Sequence, residues 1–274
     1  MYMQRKFIIN FDQKLQIGFT YPIPLHIEKY YSNNYWVSKN LLGNIKKTVF
    51  NIFQKRRVNW IIKSFSNGKI LDVGSGEANY YKNLPKKYSV TNIEPIGSKV
   101  KNPSVLKLNL LKWDTKNKFD CICFWESLEH TSNPIKYINK AYNLLNKNGY
   151  IFIEYPKYNC LESKLFGKYW FHQDLPRHLS HLTDKGLKLI LKTSGFKKIK
   201  VDKVFSFEYA PWGFMASILN YLKINLTDNI KTNGNLIIFI LLTPLLFLSI
   251  IIEIVLYIFN KSPIGMISAK KYEK

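Results

Sequence analysis

The 274-residue sequence predicts an α/β fold, with a parallel sheet, helices on both faces and an apolar helical insertion before the last strand. Three observations predict it. From Lys69 onward, short apolar runs alternate with helical stretches, the pattern of β-α-β units. A long apolar run, Leu236–Phe259, then interrupts that pattern. After it, Met266–Lys271 again reads as a strand, and the 46% hydrophobic content is enough to cover such a sheet.

Taken in order, residues 1–40 are aromatic and irregular, with Tyr21-Pro22-Ile23-Pro24 blocking regular structure. A helix is expected over Gly43–Phe65, with Ile45, Val49, Ile52, Phe53, Trp60 and Ile61 on one side. Its Lys55, Arg56 and Arg57 read as a solvated basic face. Strands are expected at Lys69–Val73, Ser89–Glu94, Ser104–Leu108, Phe119–Trp125, Tyr150–Tyr155, Lys197–Phe205 and Met266–Lys271. After the fourth, Asn133 can cap a helix, Pro134 fits its first turn and Gly149 lies past its end. A further helix runs from Thr183 to Ser194, with Thr183 as cap and Gly195 as stop.

The charge balance is strongly basic, 41 Lys+Arg against 18 Asp+Glu, net +23. Such a field favours nucleic acid or an acidic membrane surface, although biased use of Lys, Asn and Ile produces some of the excess by itself. Cys121, Cys123 and Cys160 form no disulfide framework and have no second Cys/His pair for zinc, so they are expected to be buried thiols. Met1–Asn10 has neither a long apolar core nor a cleavage site, so no signal peptide is expected.

The strongest motif is Ile70-Leu71-Asp72-Val73-Gly74-Ser75-Gly76-Glu77. Gly74 and Gly76 remove side chains where a strand turns into a helix, so a ligand can approach the backbone. Twenty positions after Gly74, Glu94 ends the second strand, where a carboxylate can accept both ribose hydroxyls of a nucleoside. A dinucleotide site would need a third glycine where Asn79 stands. A carboxylate at Asp72 suits a positively charged sulfonium better than a pyrophosphate.

ILDVGSGE, then NIEP, then FDCICFWESLEH, then LLNKNGYIFIEYP resemble the successive motifs of class I S-adenosylmethionine-dependent methyltransferases, over Gly68–Ser206. The resemblance implies a Rossmann-like seven-stranded sheet that binds this cofactor. It implies that Asp72, Gly74, Ser75 and Gly76 line the methionine end, that Glu94 holds the ribose, and that Trp125 lies near the cofactor. Asn109 stands where the family often has an aspartate near the adenine. The domains expected are an N-terminal cap and helix (1–66), a cofactor-binding core (67–206), a membrane-associating insertion (207–262) and a final strand with tail (263–274).

Two clusters are candidates for the chemistry. Glu126, Glu129 and His130 are spaced to share one face of a helical turn, a face that can bind a divalent metal such as Mg²⁺ or Mn²⁺. This run is similar to the Glu-x-x-Glu-His of ubiquinone-pathway O-methyltransferases and small-RNA 2′-O-methyltransferases, some of which use a metal. In metal-free relatives these side chains are structural or line the pocket. The second cluster is Trp170-Phe171-His172-Gln173-Asp174-Leu175-Pro176-Arg177-His178-Leu179. It resembles a stretch of bacterial methyltransferases that accompany cell-surface polysaccharide genes. His178 is the first choice for general base, His130 the second, and Arg177 the group for an anionic substrate.

Leu236–Phe259 is long enough to span a bilayer at ~20 residues per crossing. A span would separate Met266–Lys271 from the sheet. The expectation is instead a hairpin broken at Pro244 that dips into one leaflet, with Pro211–Leu222 as an amphipathic surface helix. Lys223, Lys231, Lys261, Lys270 and Lys271 would flank it toward anionic headgroups. The expected function is O-methylation of a hydroxyl on a small-molecule or lipid-linked saccharide acceptor, at the cytoplasmic face of the cell membrane. A quinone-pathway O-methyltransferase, an RNA methyltransferase and a non-catalytic membrane scaffold stay open. Nucleic acid is the less favoured partner, because RNA gives no reason for the apolar segment.

Overall fold

The computed structural model describes residues 7–31, 55–78, 81, 84–224 and 236–272. Its centre is a seven-stranded sheet built from β3 (Gly68–Val73), β4 (Tyr88–Glu94), β5 (Val105–Lys107), β6 (Phe119–Trp125), β7 (Leu145–Pro156), β9 (Phe196–Asp202) and β10 (Ile264–Lys271). The spatial order is β5-β4-β3-β6-β7-β10-β9, with β10 antiparallel to both its neighbours and the remaining pairings parallel. The final strand therefore lies beside β9, as the tail pattern predicts. The chain reverses direction across the sheet at β3, and the loops after β3, β4 and β6 share one edge, where open α/β sheets bind ligands.

Both faces are covered because the strands are apolar on both sides. Ile122 and Phe124 of β6 face α2 (Pro134–Leu144) and α4 (Asp184–Thr193), which contribute Ile138, Ala141, Leu187 and Leu191. Cys121, Cys123 and Trp125 face the other way, against Val58 and Ile61 of α1 (55–64) and Ala210 of α5 (Ala210–Tyr221). The three cysteines are free and buried. Asn133 caps α2 by accepting the Lys136 N–H at 3.1 Å, and Thr183 caps α4 by accepting that of Gly186 at 3.0 Å. Gly195 follows α4 at φ +94°. Gly149 is not the stop of α2: the helix ends at Leu144, and Gly149 lies inside β7. The 43–54 part of the expected first helix lies outside the described residues, as do Lys231 and 32–40 of the aromatic N-terminal stretch.

Five further sequence expectations are corrected. The N-terminal segment is regular: β1 (Ile8–Asp12) and β2 (Ile17–Tyr21) form a hairpin, and β2 pairs with β8 (Ser180–His181). Asp12 closes the turn by accepting the Lys14 and Leu15 N–H groups. Arg56 and Arg57 are not a solvated face. Arg57 is 4% exposed and paired with Glu154 of β7, while Arg56 pairs with Glu154 and Glu208. A carboxylate buried at the end of a central strand needs such partners.

The insertion also differs. α5 is no surface helix, because Pro211, Phe214, Met215, Ala216 and Leu219 are all buried. The apolar run is no hairpin. It forms one helix, α6 (Leu236–Ile258), that continues through Pro244. α6 packs along α5 and buries Ser249, Glu253 and Leu256, a stripe spaced four and three residues apart. A proline removes one donor from a helix, and packing along the neighbouring helix outweighs that loss. Among the residues whose side chains are described, no helix is long and apolar enough to cross a membrane. Lys270 and Lys271 do not flank α6. They belong to β10, where Lys271 is buried and donates to the Leu145 carbonyl.

Candidate active site

The loop after β3 turns on two residues with left-handed backbone, Gly74 at φ +75° and Gly76 at φ +55°. Gly74 and Ser75 donate to the Ile93 carbonyl of β4, and Gly76 N–H donates to Glu94 Oε1 at 2.6 Å. A Cβ on Gly74 would come within 2.5 Å of Ser127 Cβ, so the loops after β3 and β6 touch directly. Ser127 Oγ closes the contact on the Val73 carbonyl. Asp72 is fully buried beneath this cradle. Burial raises the Glu94 carboxyl, against the pull of the Gly76 N–H.

The structure thus brings Asp72, Gly74, Ser75, Gly76 and Glu94 together. Asn109 follows β5 and uses Oδ1 to cap the turn Leu110–Lys112 by accepting the Leu111 N–H. Trp125 is covered by α1, stacked between Trp60 and Phe152, with the Arg57 guanidinium 5.3 Å from its ring centre.

The two chemical clusters form one site. Leu179 N–H donates to the Glu129 carbonyl, and Ser180 Oγ donates to the Thr131 carbonyl. These bonds stitch the turn after β6 to the loop after α3 (Leu161–Phe166). The His130 and His178 rings meet edge to face at 4.8 Å. Each is oriented through Nδ1, which donates to the Arg177 carbonyl at 3.0 Å in His130 and to the His172 carbonyl at 2.9 Å in His178. Ligating atoms of Glu129, His130 and His178 lie within 4.8 Å of one another, and the Glu126 side chain reaches the Glu129 carboxyl. Glu126, at φ +53°, is outside that group and interacts with Glu129, Glu154 and the two arginines.

Burial dominates the electrostatics of this site. It lowers His130, and together with His130 it lowers His178 well below the usual histidine range. Burial raises Glu129 to about 8, and burial, then Glu129 and Glu154, raise Glu126 well above the usual carboxyl range. Burial opposes ionisation of Asp174 too, but His178 and Arg177 outweigh it and hold that carboxyl below its ordinary value. Arg177 is paired with Asp174 and lies over the Tyr31 ring. Beside them a cleft of about 270 Å³ is lined by Lys168, Trp170, Gln173, Asp174, Arg177 and Asn220.

Sequence reasoning missed Tyr31, whose hydroxyl lies 3.1 Å from His130 Nδ1, and Thr20, which donates to the His178 carbonyl. It also missed Glu154 as the acid that anchors α1. No spacing signal could have found Tyr31 or Thr20, because Thr20 reaches the site through the pairing of β2 with β8 and Tyr31 through the turn Ile27–Tyr30 that follows.

Residues 49–201, more than half of the chain, match the family model described as a methyltransferase domain. The chain belongs to the methyltransferase-domain family. Its fold is similar to a SAM-dependent methyltransferase from Archaeoglobus fulgidus, at 19% identity and TM-score 0.51, covering 81% of this chain and 94% of that one. It is similar also to a possible histamine N-methyltransferase from Thermotoga maritima, at 13% identity and TM-score 0.52, covering 90% and 100%. A third similar fold is the phosphoethanolamine N-methyltransferase 2 of Haemonchus contortus in complex with S-adenosyl-L-methionine, at 13% identity and TM-score 0.53, covering 93% and 62%. No curated protein matches the chain. This methyltransferase therefore has the sheet order and helix layers of S-adenosylmethionine-dependent enzymes.

Proposed function

We propose that this methyltransferase moves a methyl group from S-adenosylmethionine to a hydroxyl of a lipid-linked saccharide acceptor at the cytoplasmic face of the membrane. One observation carries the reading: two neutral histidines are held through Nδ1 on backbone carbonyls at the binding edge of the sheet. A hydroxyl must lose its proton as its oxygen attacks the methyl carbon, and an imidazole kept neutral near pH 7 can take it. His178 is the base in this reading, with His130 as its neighbour and Arg177 beside the cleft for an anionic group.

The cofactor fits the residues present. Gly74 and Gly76 turn the chain with left-handed backbone at the binding edge, over the buried Asp72, and Glu94 offers a carboxylate for a diol. The cofactor supplies the electrophilic methyl group and the protein supplies alignment. The lipid-linked acceptor is supported by the exposed apolar side of α6, where Phe247, Leu248, Ile251, Ile254, Val255 and Ile258 face outward. Exposed Lys261 lies just past the end of α6 and suits anionic headgroups. The test is to incubate the protein with methyl-labelled S-adenosylmethionine and separated extracts. Label in the lipid-linked saccharide fraction is expected, and label confined to quinone or RNA would overturn the reading.

A second reading uses a divalent metal. Glu129, His130 and His178 would hold it, because a carboxylate and two imidazoles tethered through Nδ1 form a donor set that Mn²⁺ accepts. It would lower the pKa of the acceptor hydroxyl and so replace the histidine base. Activity lost in chelator and restored by Mn²⁺ or Mg²⁺ supports this reading, whereas full activity in chelator leaves His178 as the base.

A further inference from the structure

α6 meets the rest of the protein through an arrangement that the methyl-transfer chemistry does not use. Glu253, in the middle of this apolar helix, and Glu162, in the first turn of α3, are each 1% exposed. The two carboxyls act on each other across the contact. Beyond each other and the Trp170 indole beside Glu162, no described residue hydrogen bonds these carboxyls. Their surroundings are Cys160, Phe166, Trp170, Phe214, Ile218 and Ile252.

The ionisable groups facing the pair are few. α5 contributes none, because its only titratable side chain, Tyr221, is exposed. The segment before α3 contributes the Cys160 thiol, pushed up to about 12 by burial and then by Glu162. The turn after α3 contributes the Trp170 indole beside Glu162, and no lysine, arginine or histidine acts on either acid.

Two carboxylates cannot both be charged in such a place. Each would lose its hydration without a cation to replace it, and they would repel each other. One shared proton removes both penalties. Burial accordingly raises both carboxyls, and Glu253 raises Glu162 further.

We propose that the Glu162–Glu253 pair is a proton-operated latch that docks α6 onto α3 and α5 and releases it as the pair ionises. The released helix exposes Ser249, Glu253 and Leu256 and uncovers Trp170 and Phe214. Trp170 begins the segment that carries Asp174, Arg177 and His178, so release loosens the acceptor side of the site while the cofactor cradle on β3 and β4 is untouched. The latch does not depend on which acceptor is methylated.

The sign follows from proton uptake. Docking binds a proton that the undocked carboxyls have lost, so docking is strongest in acid. It weakens about tenfold per pH unit from the ordinary carboxyl range up to the raised value of the docked pair. Hydrogen exchange of the full-length chain between pH 5 and 8, corrected for intrinsic rates, reads this directly. Protection of the 245–258 peptide should fall about tenfold per unit over part of that range, relative to the 184–193 peptide of α4. In the double variant Glu162→Gln/Glu253→Gln it should be independent of pH. If the double variant fails to fold, as loss of α4 protection would show, Glu253→Gln alone should end the fall in protection at a lower pH, because Glu162 then lacks the neighbouring charge that raises it. Wild-type protection that does not change with pH would overturn the latch, and so would a wild-type pH profile in the folded variants.

Discussion

Glu94 ends β4 with its carboxylate on the Gly76 N–H, and the Ser98 hydroxyl also reaches it. In the proposed site it accepts ribose hydroxyls through charge-assisted bonds, so Glu94→Ala should weaken S-adenosylmethionine binding by about 1.5–3 kcal/mol. Gly74→Val should weaken it as well, because the residue would carry a side chain at φ +75° and meet Ser127. Calorimetric titration decides: wild-type affinity in both variants would move the cofactor elsewhere. At the same scale, the His178 and His130 rings matter through their anchors as much as through their free nitrogens. Each Nδ1 bond ends on the backbone of the 172–177 loop, so the loop conformation sets the ring orientation.

Two elements that look peripheral in the chain turn out to be braces. α1 is held by Arg56 and Arg57 on Glu154. Arg57→Met should cost about 3–5 kcal/mol, since it removes one partner of a buried pair and leaves the other charge behind. Urea unfolding of the variant measures this, and a change under 1 kcal/mol would mean that Arg56 alone satisfies Glu154. The N-terminal hairpin is held to β8 through Thr20 and His181, whose Nε2 lies 2.9 Å from Thr20 Oγ1. Burial pushes His181 down to about 4. Above pH ~6.5 this residue is neutral both folded and unfolded, so stability is unaffected. Below that, the unfolded chain takes up a proton that the folded chain refuses until about pH 4. About 3 kcal/mol should be lost across that window. Thermal unfolding of His181→Gln should show a correspondingly flatter acid limb, and an acid limb identical to wild type would assign the loss to other groups.

For the whole molecule, the layers are unequal. The sheet and its first helices form a closed core, while α6 presents a long apolar side with Phe247 64% and Ile258 60% exposed. In the proposed function that side lies on a membrane. Phe247→Lys and Ile254→Lys should each reduce co-sedimentation with anionic vesicles several-fold, because a charge in a lipid-facing helix opposes partition. Folding should not change, since both positions already face outward. Equal binding by wild type and variants would remove the membrane from the reading.

Strand positions were legible from sequence because each β-α-β unit repeats a local signal: an apolar run, a cap and a glycine or proline at the boundary. β6 matches its expected range residue for residue, and Asn133 and Thr183 cap the helices assigned to them. The cofactor motif was legible for the same reason, since Gly74 and Gly76 follow β3 and Glu94 ends β4, and these strands are adjacent and parallel. What remained hidden depends on partners distant in the chain. The pairing of β2 with β8 joins residues about 160 positions apart and turns an irregular-looking segment into sheet. Arg57 reads as a surface charge until Glu154 is placed opposite it. Hydropathy alone could not separate a hairpin from a straight helix at Pro244. The packing of α6 along α5 decided that, because a helix can lose one backbone bond when a buried side stabilises it. Local periodicity thus determined the fold class and the cofactor edge, and tertiary contacts decided which polar side chains meet, because pairing and burial are properties of the neighbours and not of the residue.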